Sequence, residues 1–100
     1  MIGNSSSGLA EVPSFRKGTV NIGDRQRGRL CAASVINCSA DNVSITESIQ
    51  KLFSSSFLAL LPEVKNPYGD GGASEAIVRT LEHRSFDNLL KKPFFDINSL

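Results

Sequence analysis

The chain has 100 residues, 40% of them hydrophobic and 21% charged, which is the composition of one ordinary globular domain with a modest core. Eleven basic and ten acidic side chains leave a formal charge of +1, so no overall field attracts nucleic acid or an anionic membrane. The longest apolar run, 57–61, is too short to span a bilayer, and the amino end lacks a secretion signal. We therefore expect a cytoplasmic protein.

The first part of the chain predicts strands that alternate with one short helix. Met1-Ile2 has the character of the last residues of a buried strand, and residues 9–15 have the apolar spacing of a short helix. The β-branched residues of Thr19–Ile22 and the run Val35–Cys38 predict two further strands. A turn rich in glycine and serine, 3–8, joins the first strand to the helix.

The second part of the chain predicts two main helices separated by turn residues. Ser44-Ile45-Thr46-Glu47 matches a capping box, so we expect a helix to begin at Ser44 and to end near the serine run 54–56. Dense turn residues over 66–72 precede a helix that is marked by apolar residues at 73, 76, 77 and 81. The order of strands and helices predicts an α/β fold with a parallel sheet.

The residues that most often bind metals give little support for a metal site. Cys31 and Cys38 are the two cysteines, with no histidine or carboxylate at metal-ligand spacing, so we expect no zinc. A cytoplasmic chain favours two reduced structural thiols, and a disulfide on a small loop is the alternative. We interpret His83, on a predicted helix, as a structural residue.

The glycine- and serine-rich turn is a candidate anion site. In an α/β fold, the backbone amides that start a helix point at an anion, and small residues let a phosphate approach the backbone. Such a turn would bind through amides and hydroxyls of Asn4, Ser5, Ser6, Ser7 and Gly8. A plain helix cap without any ligand is the alternative, since Asn and Ser are preferred caps. The turn alone leaves both interpretations open.

Two charged residues lie where a nucleotide bound to this turn would meet them. Glu11 is placed to reach ribose hydroxyls, although a solvated helix glutamate is the simpler interpretation. Arg25 follows the strand Thr19–Ile22 at the edge where doubly wound sheets bind ligands, and its guanidinium suits phosphate oxygens. Charge alone favours a solvated face for the basic run that comprises Arg16, Lys17, Arg25, Arg27 and Arg29. The turn, the glutamate and the arginine together indicate one nucleotide.

Three blocks of sequence resemble a known enzyme family. They are GNSSSGLAEVP at 3–13, NIGDRQRGR at 21–29 and NPYGDG at 66–71. In order and spacing, over residues 1–82, they resemble the C-terminal domain of UDP-N-acetylglucosamine 2-epimerases. The run GDRQ-x-GR is similar to the hydrolysing members, which serve sialic-acid and related sugar synthesis. Non-hydrolysing members usually carry a run of the TERPE kind at that place.

The resemblance implies a fold and a set of ligand residues. The fold is a glycosyltransferase-B-like pair of domains with UDP in the cleft, and residues 1–100 would be part of the Rossmann-like C-terminal UDP-binding domain, with 83–100 as a terminal helix or tail. Ser5 and Ser6 would match the phosphate-binding serines, Glu11 the carboxylate on the ribose, and Arg25 the arginine near the diphosphate. The NPYGDG block would be a structural turn before the last main helix.

The resemblance also implies an activity. UDP would be eliminated from UDP-N-acetylglucosamine, and water would add to the resulting glucal to give N-acetylmannosamine, without a cofactor. The acids and bases of that chemistry would lie in an N-terminal domain that this chain does not contain, so we expect the chain alone to be inactive. The full-length protein is expected to be a homo-oligomer. A non-hydrolysing epimerase and a non-catalytic nucleotide-binding or interaction module remain the alternatives.

Overall fold

The computed structural model describes residues 1–87, 89 and 90. Their contacts separate into two units, Met1–Asp70 and one that begins at Gly71. The predicted tail over 83–100 lies for the most part outside the described residues. None of the helices within those residues is both long and apolar enough to cross a membrane.

A parallel sheet of three strands forms the centre of the first unit. The strands are β1 (Ile2–Gly3), β2 (Thr19–Ile22) and β3 (Val35–Cys38), and they lie side by side in that order. Ile2 pairs with Val20, and the four residues of β2 pair in sequence with those of β3. The α/β class and the parallel sheet are therefore confirmed, with β1 one residue later than predicted.

A single turn of α-helix follows β1. Helix α1 (Ser7–Ala10) is succeeded by a 3-10 helix (Val12–Phe15), so the predicted continuous helix over 9–15 is wrong in its extent. The reason is Pro13, which has no amide hydrogen and whose ring would clash with the carbonyl of residue 9 in a longer α-helix. Arg16, at φ 54°, takes the left-handed conformation that ends the segment.

Close packing on β2 fixes the start of α1. Leu9 and Val20 are buried, with exposures of 1% and 0%. Thr19 Oγ1 donates a hydrogen bond to the Gly8 carbonyl at 3.0 Å. A Cβ atom on Gly8 would lie 2.6 Å from Thr19 Cγ2, which is closer than carbon atoms can pack. Glycine therefore lets the turn before α1 approach the sheet this closely.

The main helix of the first unit, α2 (Asn42–Leu52), packs against β2 and β3. Its predicted start at Ser44 is wrong, because Asp41 is the N-cap residue. Asp41 Oδ1 accepts the Ser44 amide at 2.8 Å, and Oδ2 accepts the Ser44 hydroxyl at 2.8 Å. These two hydrogen bonds stabilise the carboxylate and lower the pKa of Asp41. Ser44 is thus a donor in the first turn of α2 and not its cap.

A serine cap starts the next helix, α3 (Ser55–Leu60). Ser54 Oγ accepts the Phe57 amide at 3.3 Å and donates to the Lys51 carbonyl at 2.7 Å, so one hydroxyl closes α2 and opens α3. The predicted end of the preceding helix at the serine run is confirmed. Phe57 is buried in the core, and a short 3-10 helix, Leu61–Glu63, follows α3.

A helix is the main element described in the second unit. It is α4 (Ala73–His83), and it follows Gly72 in the left-handed conformation. This confirms the helix predicted from the apolar residues at 73, 76, 77 and 81. In its last turn, His83 Nδ1 lies 2.8 Å from the Arg79 carbonyl oxygen.

The substitution Gly8→Ala should lower the free energy of unfolding of the chain by about 1–3 kcal/mol, because the added methyl overpacks the contact between α1 and β2. Urea unfolding followed by far-UV circular dichroism measures the change. Gln50→Ala, at an exposed position of α2, is the control and should change the free energy by less than about 0.5 kcal/mol. Equal effects of the two substitutions would contradict the packing argument.

Candidate functional site

The three strands end together at the carboxyl edge of the sheet, which is where open α/β folds bind ligands. A cavity of about 410 Å³ lies at this edge, and we call it the Arg25 cavity. Its lining comes from the chain at the ends of all three strands and consists of Gly3, Asn4, Ile22, Gly23, Asp24, Arg25 and Ala40. Two of the predicted site residues, Asn4 and Arg25, therefore share one cavity.

The turn between β1 and α1 is held by its own backbone and by one serine hydroxyl. The Ser5 carbonyl accepts the Gly8 amide at 3.2 Å, and Ser5 Oγ accepts the Ser7 amide at 3.3 Å. Ser6 is the N-cap residue of α1, yet its side chain makes no capping hydrogen bond and is exposed. The Ser5 hydroxyl thus accepts one bond within the turn and keeps its hydrogen for a ligand, and the Ser6 hydroxyl forms no capping bond.

The short length of α1 limits what its N-terminus does by itself. The helix has four residues, so few peptide dipoles add along its axis. An anion on the turn therefore needs a further positive group. Arg25 is the predicted cation that lines the same cavity as the turn residue Asn4.

We call residues 23–34, between β2 and β3, the Arg25 loop. A glutamine joins this loop to the turn between β1 and α1. Gln26 is 5% exposed, and its Nε2 donates to the Asn4 carbonyl at 2.9 Å. This bond assigns Nε2 to the side of the Gln26 amide that faces Asn4, because the opposite orientation would place Oε1 against the Asn4 carbonyl oxygen. Gln26 Oε1 is buried without a hydrogen-bond partner in the part of the chain that the structure describes.

Backbone hydrogen bonds shape the start of the same loop. The Gly23 amide donates to the Cys38 carbonyl at 2.9 Å, and the Arg27 amide donates to the Asp24 carbonyl at 3.0 Å. Gly23 has φ +80°, a value that favours glycine, so the chain reverses directly after β2. Arg25 is exposed within this turn, and the loop places two charged residues, Asp24 and Arg25, in the lining of the Arg25 cavity.

A second cavity, of about 480 Å³, lies beside the first and shares Gly23 and Asp24 with it. We call it the amide cavity, because three of its lining residues, Asn21, Gln26 and Asn37, have side-chain amides. Asn21 Nδ2 donates to Asn37 Oδ1 at 2.8 Å. The charged and thiol groups in the lining belong to Asp24, Arg27, Arg29, Cys31 and Cys38.

Both cysteines are free and partly exposed in that lining. Within the described residues, no group of three or more His, Cys, Asp or Glu side chains is placed to hold a metal ion.

The remaining predicted residues do not line the Arg25 cavity. Ser5, Ser6 and Ser7 continue the turn after Asn4, and Gly8 is buried against β2. Glu11 is exposed at the end of α1, where its amide donates to the Ser7 carbonyl at 3.0 Å. Residues 4–8 of the predicted set are thus contiguous along the turn and α1, and Glu11 is the residue directly after α1.

Gln26 is the residue that interpretation of single positions missed. A neutral side chain in a basic loop carries no charge signal, and its partner Asn4 is 22 residues away in the sequence. The available signal was its place inside the GDRQ-x-GR run.

Comparison with known proteins identifies the family. A family model described as UDP-N-acetylglucosamine 2-epimerase matches residues 1–82. The chain therefore belongs to the UDP-N-acetylglucosamine 2-epimerase family, as the three sequence blocks indicated.

Curated relatives fall in the same group. The chain is 40% identical over 98 residues to the polysialic acid biosynthesis protein P7 of Escherichia coli and, over the same length, to a GDP/UDP-N,N'-diacetylbacillosamine 2-epimerase (hydrolyzing) of Campylobacter jejuni. Each alignment covers 97% of this chain and 25% of the relative. A UDP-N,N'-diacetylbacillosamine 2-epimerase (hydrolyzing) of Legionella pneumophila is 34% identical over 82% of this chain and 21% of the relative. The chain thus spans about a quarter of the length of these relatives.

The substitution Gln26→Met should loosen the loop that carries Arg25, because it removes the donor to Asn4 while keeping a buried side chain of similar length. Amide hydrogen exchange over residues 23–29, followed by mass spectrometry, should become about fivefold to tenfold faster. The matched control is Gln50→Met, at an exposed position of α2. Unchanged exchange over 23–29 in Gln26→Met would show that the bond to Asn4 does not hold the loop.

Proposed function

We propose that this chain supplies the UDP-binding part of a hydrolysing UDP-N-acetylglucosamine 2-epimerase, with the diphosphate between the turn 3–8 and Arg25. The observation that supports this most is the hydrogen bond from Gln26 to Asn4, which holds the turn and the Arg25 loop at one cavity. The family match and the printed names of the hydrolysing relatives agree with it.

The proposed diphosphate contacts follow from the chemistry of the turn. Ser5 and Ser6 offer hydroxyls beside backbone amides, and Asn4 lines the cavity directly. Hydrogen bonds to a charged acceptor contribute about 1.5–3 kcal/mol each, roughly twice as much as neutral ones. Ser7 and Gly8 support this arrangement by shaping the turn and packing it on β2.

The proposed role of Arg25 depends on where charge develops. When UDP leaves, the bond between sugar C1 and the phosphate oxygen breaks, and the departing diphosphate gains negative charge. A fixed guanidinium at that place binds the transition state more tightly than the substrate, so it raises kcat as well as affinity. Arg25 is exposed, as the solvated face that charge alone favours also requires, and its place in one cavity with Asn4 is the observation that supports a contact with the diphosphate.

Glu11 is proposed to bind the ribose hydroxyls. It lies four residues after Ser7, which corresponds to a rise of about 6 Å in a helix. That separation suits a ligand whose phosphates rest on the turn and whose ribose extends along α1. Carboxylates accept two hydroxyl hydrogen bonds at once, as they do in other nucleotide-binding folds.

The rest of the proposed enzyme follows the resemblance. The chain would belong to the C-terminal domain of a glycosyltransferase-B-like pair, with UDP in the cleft. Elimination removes UDP and the hydrogen on C2, and water then adds its hydroxyl to C1 and a hydrogen to C2, which yields N-acetylmannosamine. Groups outside this chain would move those protons, so residues 1–100 alone would be inactive. The full-length enzyme would need no cofactor and would act as a homo-oligomer.

Arg25→Ala in a full-length protein that contains this chain should lower kcat on the order of 100-fold, which is the usual effect of removing one donor to a developing charge. Release of UDP and of free N-acetylmannosamine from UDP-N-acetylglucosamine measures the rate. Arg16→Ala is the matched control, because Arg16 belongs to the basic run but lines neither the Arg25 cavity nor the amide cavity. An unchanged rate for Arg25→Ala would remove Arg25 from the site, and UDP-N-acetylmannosamine as product would contradict a hydrolysing enzyme.

A further inference from the structure

Two side chains of the NPYGDG block bond to segments that are distant in sequence. Asn66 Nδ2 donates to the Ala10 carbonyl at 2.8 Å and to Ser14 Oγ at 2.7 Å, across 56 and 52 residues of chain. The hydroxyl of Tyr68 donates to the Leu30 carbonyl at 2.9 Å, across 38 residues. The block thus reaches both α1 and the end of the loop that carries Arg25.

The Asn66 contacts lie on either side of Glu11. Ala10 is the last residue of α1, where carbonyls have no partner within the helix. Ser14 belongs to the 3-10 helix that follows. The Asn66 amide therefore joins α1 to the 3-10 helix, and Glu11 lies between them. Pro13 prevents one continuous α-helix from linking these two segments.

The Tyr68 contact closes the loop after β2. This loop begins at Gly23, whose amide bonds the Cys38 carbonyl, and is tied in its middle by Gln26. The Leu30 carbonyl, held by the Tyr68 hydroxyl, is a third point of attachment. Arg25 lies between the first two of these points, and the Tyr68 contact holds the same loop four residues beyond Gln26.

The two contacts are linked to each other. The Tyr68 amide donates to Asn66 Oδ1 at 3.0 Å, and the Gly69 amide donates to the Asn66 carbonyl at 3.2 Å. Pro67 lies between them and restricts the backbone, which reduces the entropy lost when the segment is ordered. Residues 66–68 therefore connect α1 to the loop that carries Arg25 through one short segment.

We propose that Asn66 and Tyr68 are positioning residues for the nucleotide. They set Glu11 and Arg25 at a fixed separation without lining the Arg25 cavity themselves. This inference rests on the proposed function, and it assigns to the NPYGDG block a part in UDP affinity. If the block were only a structural turn, loss of the Tyr68 hydroxyl would lower the free energy of unfolding and would leave the contribution of Arg25 to UDP affinity unchanged.

A double-mutant cycle in the full-length protein separates these roles. Tyr68→Phe should raise the Kd for UDP about fivefold, which corresponds to one net hydrogen bond. In the Arg25→Ala background it should raise the Kd less than about twofold, because coupled residues are not additive. The KM for the sugar nucleotide should rise together with a fall in kcat, while Tm changes little.

The control for this cycle is Thr46→Val, which removes a hydroxyl bonded to a backbone carbonyl in α2. It should leave the Kd for UDP unchanged in both backgrounds. The inference is overturned if Tyr68→Phe leaves the Kd unchanged, or if it raises the Kd equally with and without Arg25. If Arg25→Ala itself leaves the Kd unchanged, the proposed function fails, and the inference fails with it.

Discussion

The hydrogen bond from Gln26 to the Asn4 carbonyl is the constraint on which the candidate site depends. β1 and β2 bring the turn and the loop to one edge of the sheet, but parallel pairing alone does not set how the loop folds after its strand. A buried amide with a single partner does so, because leaving its donor unpaired would cost about 1–3 kcal/mol. The sheet brings the turn and the loop to the same edge, and the Gln26 hydrogen bond fixes the position of the loop relative to the turn.

The proposed arrangement gives a short helix a part in an anion site. With one turn of α1, amides and hydroxyls provide hydrogen bonds but only a small dipole, so the positive charge has to come from another segment. In the proposed site, Arg25 provides that charge from the loop after β2. The α/β unit by itself is compatible with many functions, and these site residues carry the functional argument.

Local patterns predicted the regular elements well and the junctions poorly. The β-branched run Thr19–Ile22 was placed correctly because each of its residues favours a strand. The start of α2 was misplaced because Asp41 and Ser44 are both good caps, and only the extended backbone of Asp41 decides between them. The bonds made by Gln26 and Asn66 cross 22 and 56 residues, so no local rule predicts them. The proposed site residues were predicted from the glycine- and serine-rich turn and its charged neighbours, and from the family resemblance of the three blocks.

The most direct test of the account is the crystal structure of the full-length protein with UDP. The account predicts that the diphosphate oxygens lie within about 2.7–3.2 Å of donors on residues 4–6 and of the Arg25 guanidinium, with the ribose hydroxyls at Glu11. A diphosphate bound elsewhere, with neither the turn nor Arg25 in contact with it, would contradict the account.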